Sequence, residues 1–177
     1  VNIRADGVIS VVSNIAPSAV SEMCGNILYR GVREAEKIKD ALDPLFKVVT
    51  VTCEREEEID GKAVFVKDKF RNPLPIKTMM QGLGMPAGPC RPPLGRMTKQ
   101  GVEIVRNALR EVWEKNPWVL KPIEDFYHVD ISERLANDEI WQSLAYQRGG
   151  EMTREEFDRI AIEEGILAES LRDNLWE

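Results

Sequence analysis

The chain has 177 residues, of which 43% are hydrophobic and 31% charged, and carries a formal net charge of −6 at pH 7. That length suffices for one domain with a sizeable core, or one domain and a smaller appendage. No run reaches the roughly 18–20 apolar residues of a membrane span and no secretory leader pattern opens the chain. One histidine and three scattered cysteines argue against a zinc site of the Cys/His type.

The charge is unevenly spread. Residues 1–100 carry 15 basic and 12 acidic side chains, whereas residues 101–177 carry 9 and 18. So acidic a second part argues against general nucleic-acid binding. Cys24, Cys53 and Cys90 read as reduced thiols of a cytoplasmic protein. Val1 is not an initiator methionine, so the start reads as processed, cut or chosen.

Gly7–Asn14, GVISVVSN, is a short β-branched run closed by turn residues. The pattern predicts a strand buried on both faces, as in a parallel sheet or barrel. Such a strand needs neighbours for its backbone N–H and C=O groups. No second run of this kind appears downstream, so its sheet partners are expected outside this chain.

Pro17 suits a first helical turn, with Val20, Met23, Cys24, Ile27 and Leu28 at helical spacing and Gly31 as the break. A second helix is predicted from Val32, burying Ala35, Ile38, Leu42, Leu45 and Phe46, with Pro44 kinking its last part. The period then changes. Val48–Thr52 and Ala63–Lys67 are β-rich and flank a connection ending in Asp60-Gly61, which predicts a small hairpin at about 48–67. It reads as a surface ribbon rather than a lid, and the run Glu54, Glu56, Glu57, Glu58 as a solvated connection.

Arg71-Asn72-Pro73 opens the next helix, with Ile76, Met79, Met80 and Leu83 inward and Gly84 as its stop. Gly84–Gly95 is too rich in Pro and Gly for regular structure. Thr98 is placed to cap a long helix carrying Val102, Val105, Leu109, Val112 and Trp113. Beyond Asn116-Pro117 lies a helical tail. Trp118, Ile123, Phe126 and Tyr127 form a short apolar segment, and Asp130 with Glu133 makes a capping box ahead of Leu135, Ile140, Trp141 and Leu144. After Gly149-Gly150, Thr153 with Glu156 makes a second box, and Leu167, Leu171 and Leu175 form the stripe of a final helix.

In this order, GVISVVSN, a helix pair ending in LDPLF, NPLPIKTMMQGLGMPAGPCRPPLGRMT and the helix EIVRNALREV resemble the C-terminal third of the dihydrodipicolinate synthase family. The family belongs to the class I aldolase group that includes N-acetylneuraminate lyase. The resemblance covers about residues 5–113; the hairpin looks like an insertion and the tail an extension. It implies a mostly α chain: the last strand of a (β/α)8 TIM barrel with its following helix at 1–30, a C-terminal helical domain at 31–116, and an acidic helical extension at 117–177. It further implies a lyase of lysine biosynthesis that condenses pyruvate with aspartate semialdehyde through a Schiff base, without metal or organic cofactor, in a homo-oligomer. The Schiff-base Lys and the proton-shuttling Tyr would lie outside this chain, which alone would be inactive. The position that carries over is Ile9, whose main-chain carbonyl would sit near the substrate at the barrel mouth. The alternatives are a truncated helical module for subunit assembly, and a related sugar-acid aldolase.

Ser10, Ser13 and Asn14 either contact substrate there or end the strand and cap the following helix. Lys77 reads as structural, because a catalytic lysine needs burial or a cationic neighbour. Arg91 and Arg96 read as pins of the Pro-rich loop rather than an anion site, Cys90 as packed rather than nucleophilic, and His128 as a helix-end histidine without triad partners.

Overall fold

A computed structural model describes residues 7–146, apart from residues 60, 92 and 93. The capping box at Thr153, the Gly149-Gly150 break and the final leucine stripe lie outside the described residues. So does Asp60 of the hairpin turn. The architecture is helical with one two-stranded antiparallel sheet. In chain order it comprises α1 (Pro17–Gly25), α2 (Val32–Lys47), β1 (Val51–Ile59), β2 (Lys62–Phe70), α3 (Leu74–Gly82), α4 (Lys99–Lys115), α5 (Lys121–Tyr127), α6 (Ile131–Ala136) and α7 (Asp138–Leu144).

The predicted strand at Gly7–Asn14 does not form. Ser10 keeps extended dihedrals, but Val11–Asn14 wind into a 3-10 turn and residues 7–10 join no ladder. The physical reason is the one that made the strand problematic: among the described residues, nothing offers its backbone groups a paired edge. Val12 and Ile15 are instead turned into the helical core.

The helix after it also departs from a single regular element. α1 gives way at Asn26 to a π turn, Asn26–Arg30, closed by Gly31 at φ 111°. A wider turn shifts the angular phase of the residues it contains. Ile27 and Leu28, predicted inward, stand exposed.

α2 follows its predicted face, with Ala35, Ile38, Leu42 and Leu45 buried, and its helix continues through Pro44. The hairpin forms, but it starts at Val51 rather than Val48 and its strands are longer than predicted, β1 and β2 running to nine residues each. β1 contains the acidic run, and the register from Val51↔Phe70 to Ile59↔Lys62 leaves a two-residue loop in which Gly61 adopts φ 72°. The glutamates are strand residues because alternation sends Glu54, Glu56 and Glu58 to solvent while Val51 and Cys53 reach the core. Glu54 faces Lys67 across the ladder at 3.3 Å, and Arg55 binds Asp68 at 2.7 Å.

Periodicity worked best for α4, which buries Val102, Val105, Leu109 and Val112. Its first turn is capped as predicted, Gly101 N–H donating to Thr98 Oγ1 at 3.2 Å. Asp130 caps α6 through the Glu133 N–H at 2.8 Å. Trp118 and Phe126, grouped with the apolar segment of the tail, are exposed, whereas Ile123 is buried.

Residues 117–146 close over the α3–α4 pair and share its core. Trp141 is fully buried, its ring against Gly82 and its indole N–H bonded to the Arg134 carbonyl at 2.9 Å. Arg134 in turn donates to the Gly82 and Gln81 carbonyls at 2.8 and 3.0 Å, satisfying the open C-terminal end of α3. Arg106, only 3% exposed, donates from Nε to the Leu135 carbonyl at 2.9 Å and pairs with Asp138 at 2.7 Å and Glu103 at 3.1 Å.

A Cβ built on Gly82 falls within 2.5 Å of Trp141 ring carbons. Alanine is favoured over glycine inside a helix by about 0.5–1 kcal/mol, but overpacking against an immobile ring costs about 1–3 kcal/mol. Gly82→Ala should therefore lower the midpoint of a urea melt. Thr98→Ala should cost about 1 kcal/mol in the same measurement, while Thr98→Ser should hold most of the native value.

Candidate functional site

The N-terminal segment carries the residues with a predicted role at a substrate. Ile9 is fully exposed and Ser10 half-buried, just before the 3-10 turn. Ser13 donates to the Ser10 carbonyl from its backbone N–H at 3.2 Å and also from its hydroxyl. The Asn14 amide donates to the Val11 carbonyl at 2.9 Å. These polar groups staple their own turn. Neither Ser13 nor Asn14 caps α1, whose N-cap residue is Ala16 and lacks a side-chain cap.

Apolar exposure concentrates in this part of the chain. Six of the twelve large apolar side chains exposed among the described residues lie between Val8 and Val32: Val8, Ile9, Ile27, Leu28, Tyr29 and Val32. Glu22, Gly25, Asn26 and Tyr29 line an open groove of about 380 Å³ there. It brings one carboxylate, one amide and one phenol together, with no nucleophile–base pair among these side chains.

The second cluster lies under the Pro/Gly loop. Lys77 Nζ donates to the Pro89 carbonyl at 2.7 Å, and the Gln81 amide donates to the Gly88 carbonyl. From the loop's other end, Arg96 donates to the Ser143 carbonyl at 2.7 Å, and Tyr146 N–H to the Met97 carbonyl at 2.8 Å. The loop is thus held at one end by α3 side chains satisfying its carbonyls and at the other by bonds to the tail, which is why a segment without regular structure stays ordered. Arg96 is one of the predicted pins; Arg91 is exposed and has a partner of its own.

Cys90 lines the crevice beneath the loop, whose free volume of about 40 Å³ has room for little more than a water. Burial pushes its thiol above the usual range, against the opposing pull of the Lys77 cation. A thiol so shifted stays protonated at neutral pH and is a poor nucleophile. Burial likewise raises the Cys53 thiol, opposed by a hydrogen bond with Thr98. His128 ends α5 in the left-handed conformation, φ 54°, exposed to solvent.

Among the described residues no group of three or more His, Cys, Asp or Glu side chains is placed to hold a metal ion. Nor is any described helix long and apolar enough to cross a membrane. The arginines that organise the tail, Arg106, Arg110 and Arg134, were not singled out from the sequence. The available signal was Arg106 standing inside the apolar stripe Val102, Val105, Leu109.

Comparison with known proteins gives these segments a family. The profile of the dihydrodipicolinate synthetase family matches residues 1–112. The 4-hydroxy-tetrahydrodipicolinate synthase of Thermotoga neapolitana is 33% identical over 106 residues, covering 60% of this chain and 30% of that protein. The proteins of the same name from Methanothrix thermoacetophila and Methanocaldococcus jannaschii are 33% and 34% identical over 108 and 106 residues, again covering 30% of each relative. The chain thus spans about 30% of the length of these curated relatives. No solved structure matched it. With the family profile matched over more than half its length, the chain belongs to the dihydrodipicolinate synthetase family.

Proposed function

We propose that this chain is the C-terminal portion of a dihydrodipicolinate synthase-like class I aldolase of the cytoplasm, which condenses pyruvate with aspartate semialdehyde through a Schiff base. The observation that carries the reading is the match of residues 1–112 to the family together with relatives covered over only 30% of their length. The apolar surface between Val8 and Val32 supports it, because a face of that kind is where the remainder of a barrel would pack.

In this reading residues 1–30 supply the last barrel strand and its helix, 31–116 the C-terminal helical domain, and 117–177 an extension. Residues 7–10 become a strand only when neighbouring strands meet their backbone groups. The Ile9 carbonyl then accepts a hydrogen bond at the barrel mouth, with Ser10 and Asn14 beside the substrate. The nucleophilic lysine and the proton-shuttling tyrosine belong to the rest of the barrel. A Schiff-base lysine must be uncharged to attack a carbonyl. Lys77, whose ammonium donates to the Pro89 carbonyl, is committed elsewhere.

The test is intact mass spectrometry after treatment with pyruvate and borohydride. The 20.1 kDa chain alone should gain no reduced adduct. Mixed with the N-terminal part of the Thermotoga neapolitana relative, it should restore condensation, with the adduct on the larger polypeptide. An adduct on the isolated chain would overturn the reading and point to a lysine within it. Failure of the mixture to form either adduct or product, with both pieces folded, would leave an assembly module in its place.

A further inference from the structure

The hairpin is the part of the molecule that neither the core nor the proposed activity accounts for. Val51 and Cys53 anchor its base in the core, but toward the tip Ala63, Val64 and Phe65 are exposed, Val64 by 39% and Phe65 by 81%. A two-stranded ribbon without further strands is marginally stable in water.

Its register determines which backbone groups are unpaired. A two-residue loop makes the flanking pair, Ile59↔Lys62, a hydrogen-bonded pair, and bonded pairs then alternate along the ladder. The N–H and C=O groups of Ala63, Phe65, Lys67 and Lys69 therefore turn away from β1. On the opposite edge the corresponding residues are Glu58, Glu56, Glu54 and Thr52. The β1 edge is acidic and repels its own copy. The β2 edge is mixed, and the exposed apolar side chains of the ribbon gather on it.

We propose that the outer edge of β2 pairs antiparallel with the same edge of a second copy of this chain, across a two-fold axis at Phe65. This register sets outward-turned residues opposite one another, as a ladder requires. Phe65 meets the partner's Phe65, Val64 meets the partner's Val66, and Lys62 meets the partner's Asp68. Asp68 is already bound by Arg55 at 2.7 Å, so the added cation joins an ordered carboxylate. Neighbouring registers are worse. An axis at Val66 opposes Val64 to Asp68 and Phe65 to Lys67, and an axis at Lys67 sets two ammonium groups face to face. The result is a closed four-stranded sheet with an isologous interface.

Sedimentation equilibrium of the 177-residue chain across micromolar concentrations tests this, with two variants. Phe65→Pro removes an N–H that points outward, which an edge strand tolerates, and Phe65→Lys places two cations on the axis. The native chain should dimerise, and each variant should raise the dimer dissociation constant at least tenfold while leaving the thermal melt unchanged at concentrations where the native chain is monomeric. A monomeric native chain would overturn the proposal. A dimer that both variants retain would overturn it too, and would assign association to the apolar surface between Val8 and Val32. Assembly that grows without limit as concentration rises would refute it in favour of the acidic β1 edge pairing with β2 of the next copy.

Discussion

A guanidinium taken out of water is stable only if its charge and its N–H groups are met. Arg106 meets most of that requirement by reaching the end of another helix, and of its three nitrogens only Nη2 lacks a hydrogen-bond partner. Its Nε and the Nε and Nη2 of Arg110 all donate to the Leu135 carbonyl, one of the open carbonyls in the last turn of α6. Asp138, at the start of α7, completes the pairing, and the guanidinium carbon lies 5.8 Å from the Trp141 ring centroid. α4, α6 and α7 are therefore joined at one point. Arg134 repeats the device one layer away at the end of α3, and Trp141 spans the two. Each contact puts a cation or an indole N–H on helix-end carbonyls, where the backbone dipoles concentrate negative potential. Short helices of six or seven residues, too short to be stable alone, are held by their ends as much as by their apolar faces.

That logic separates the features that could be read in the chain from those that could not. The long amphipathic helices α2 and α4 were legible because their apolar stripes are local and periodic, and the Thr98 and Asp130 caps because the capping residue precedes its helix. Trp141 was legible as apolar but not as the group filling the space above Gly82, since that depends on residues far apart in sequence. The β1 strand was concealed by its glutamates. Alternation holds there, yet four acidic residues in a row of five resemble a linker until the lysines of β2 are seen opposite them. Ile27 and Leu28 show the converse error: spacing identifies an apolar face but says nothing about what covers it.

The candidate site was legible only in outline. A main-chain carbonyl such as that of Ile9 leaves no mark in residue identity, so the role proposed for it rests on family likeness and on the location of the segment. Side chains with apparent chemical potential, by contrast, are committed to architecture. Lys77, Gln81 and Arg96 hold backbone carbonyls, and the Cys90 thiol is kept protonated by burial. The Pro/Gly loop explains this. A long stretch without regular structure presents many unpaired carbonyls, and the nearby polar side chains are drawn to them.

The hairpin has a consequence for how the lineage of this protein can vary. Its base pair, Val51↔Phe70, keeps the end of α2 and the start of α3 a strand's width apart whatever lies beyond it. The length of the ribbon is therefore invisible to the helical core. Residues gained or lost symmetrically about the tip would change only its reach. A single residue inserted into one strand would instead invert the faces between the insertion and the tip, exposing one set of side chains and turning the other inward. Drift in hairpin length should thus proceed in matched steps on the two strands, with unmatched changes surviving only as bulges.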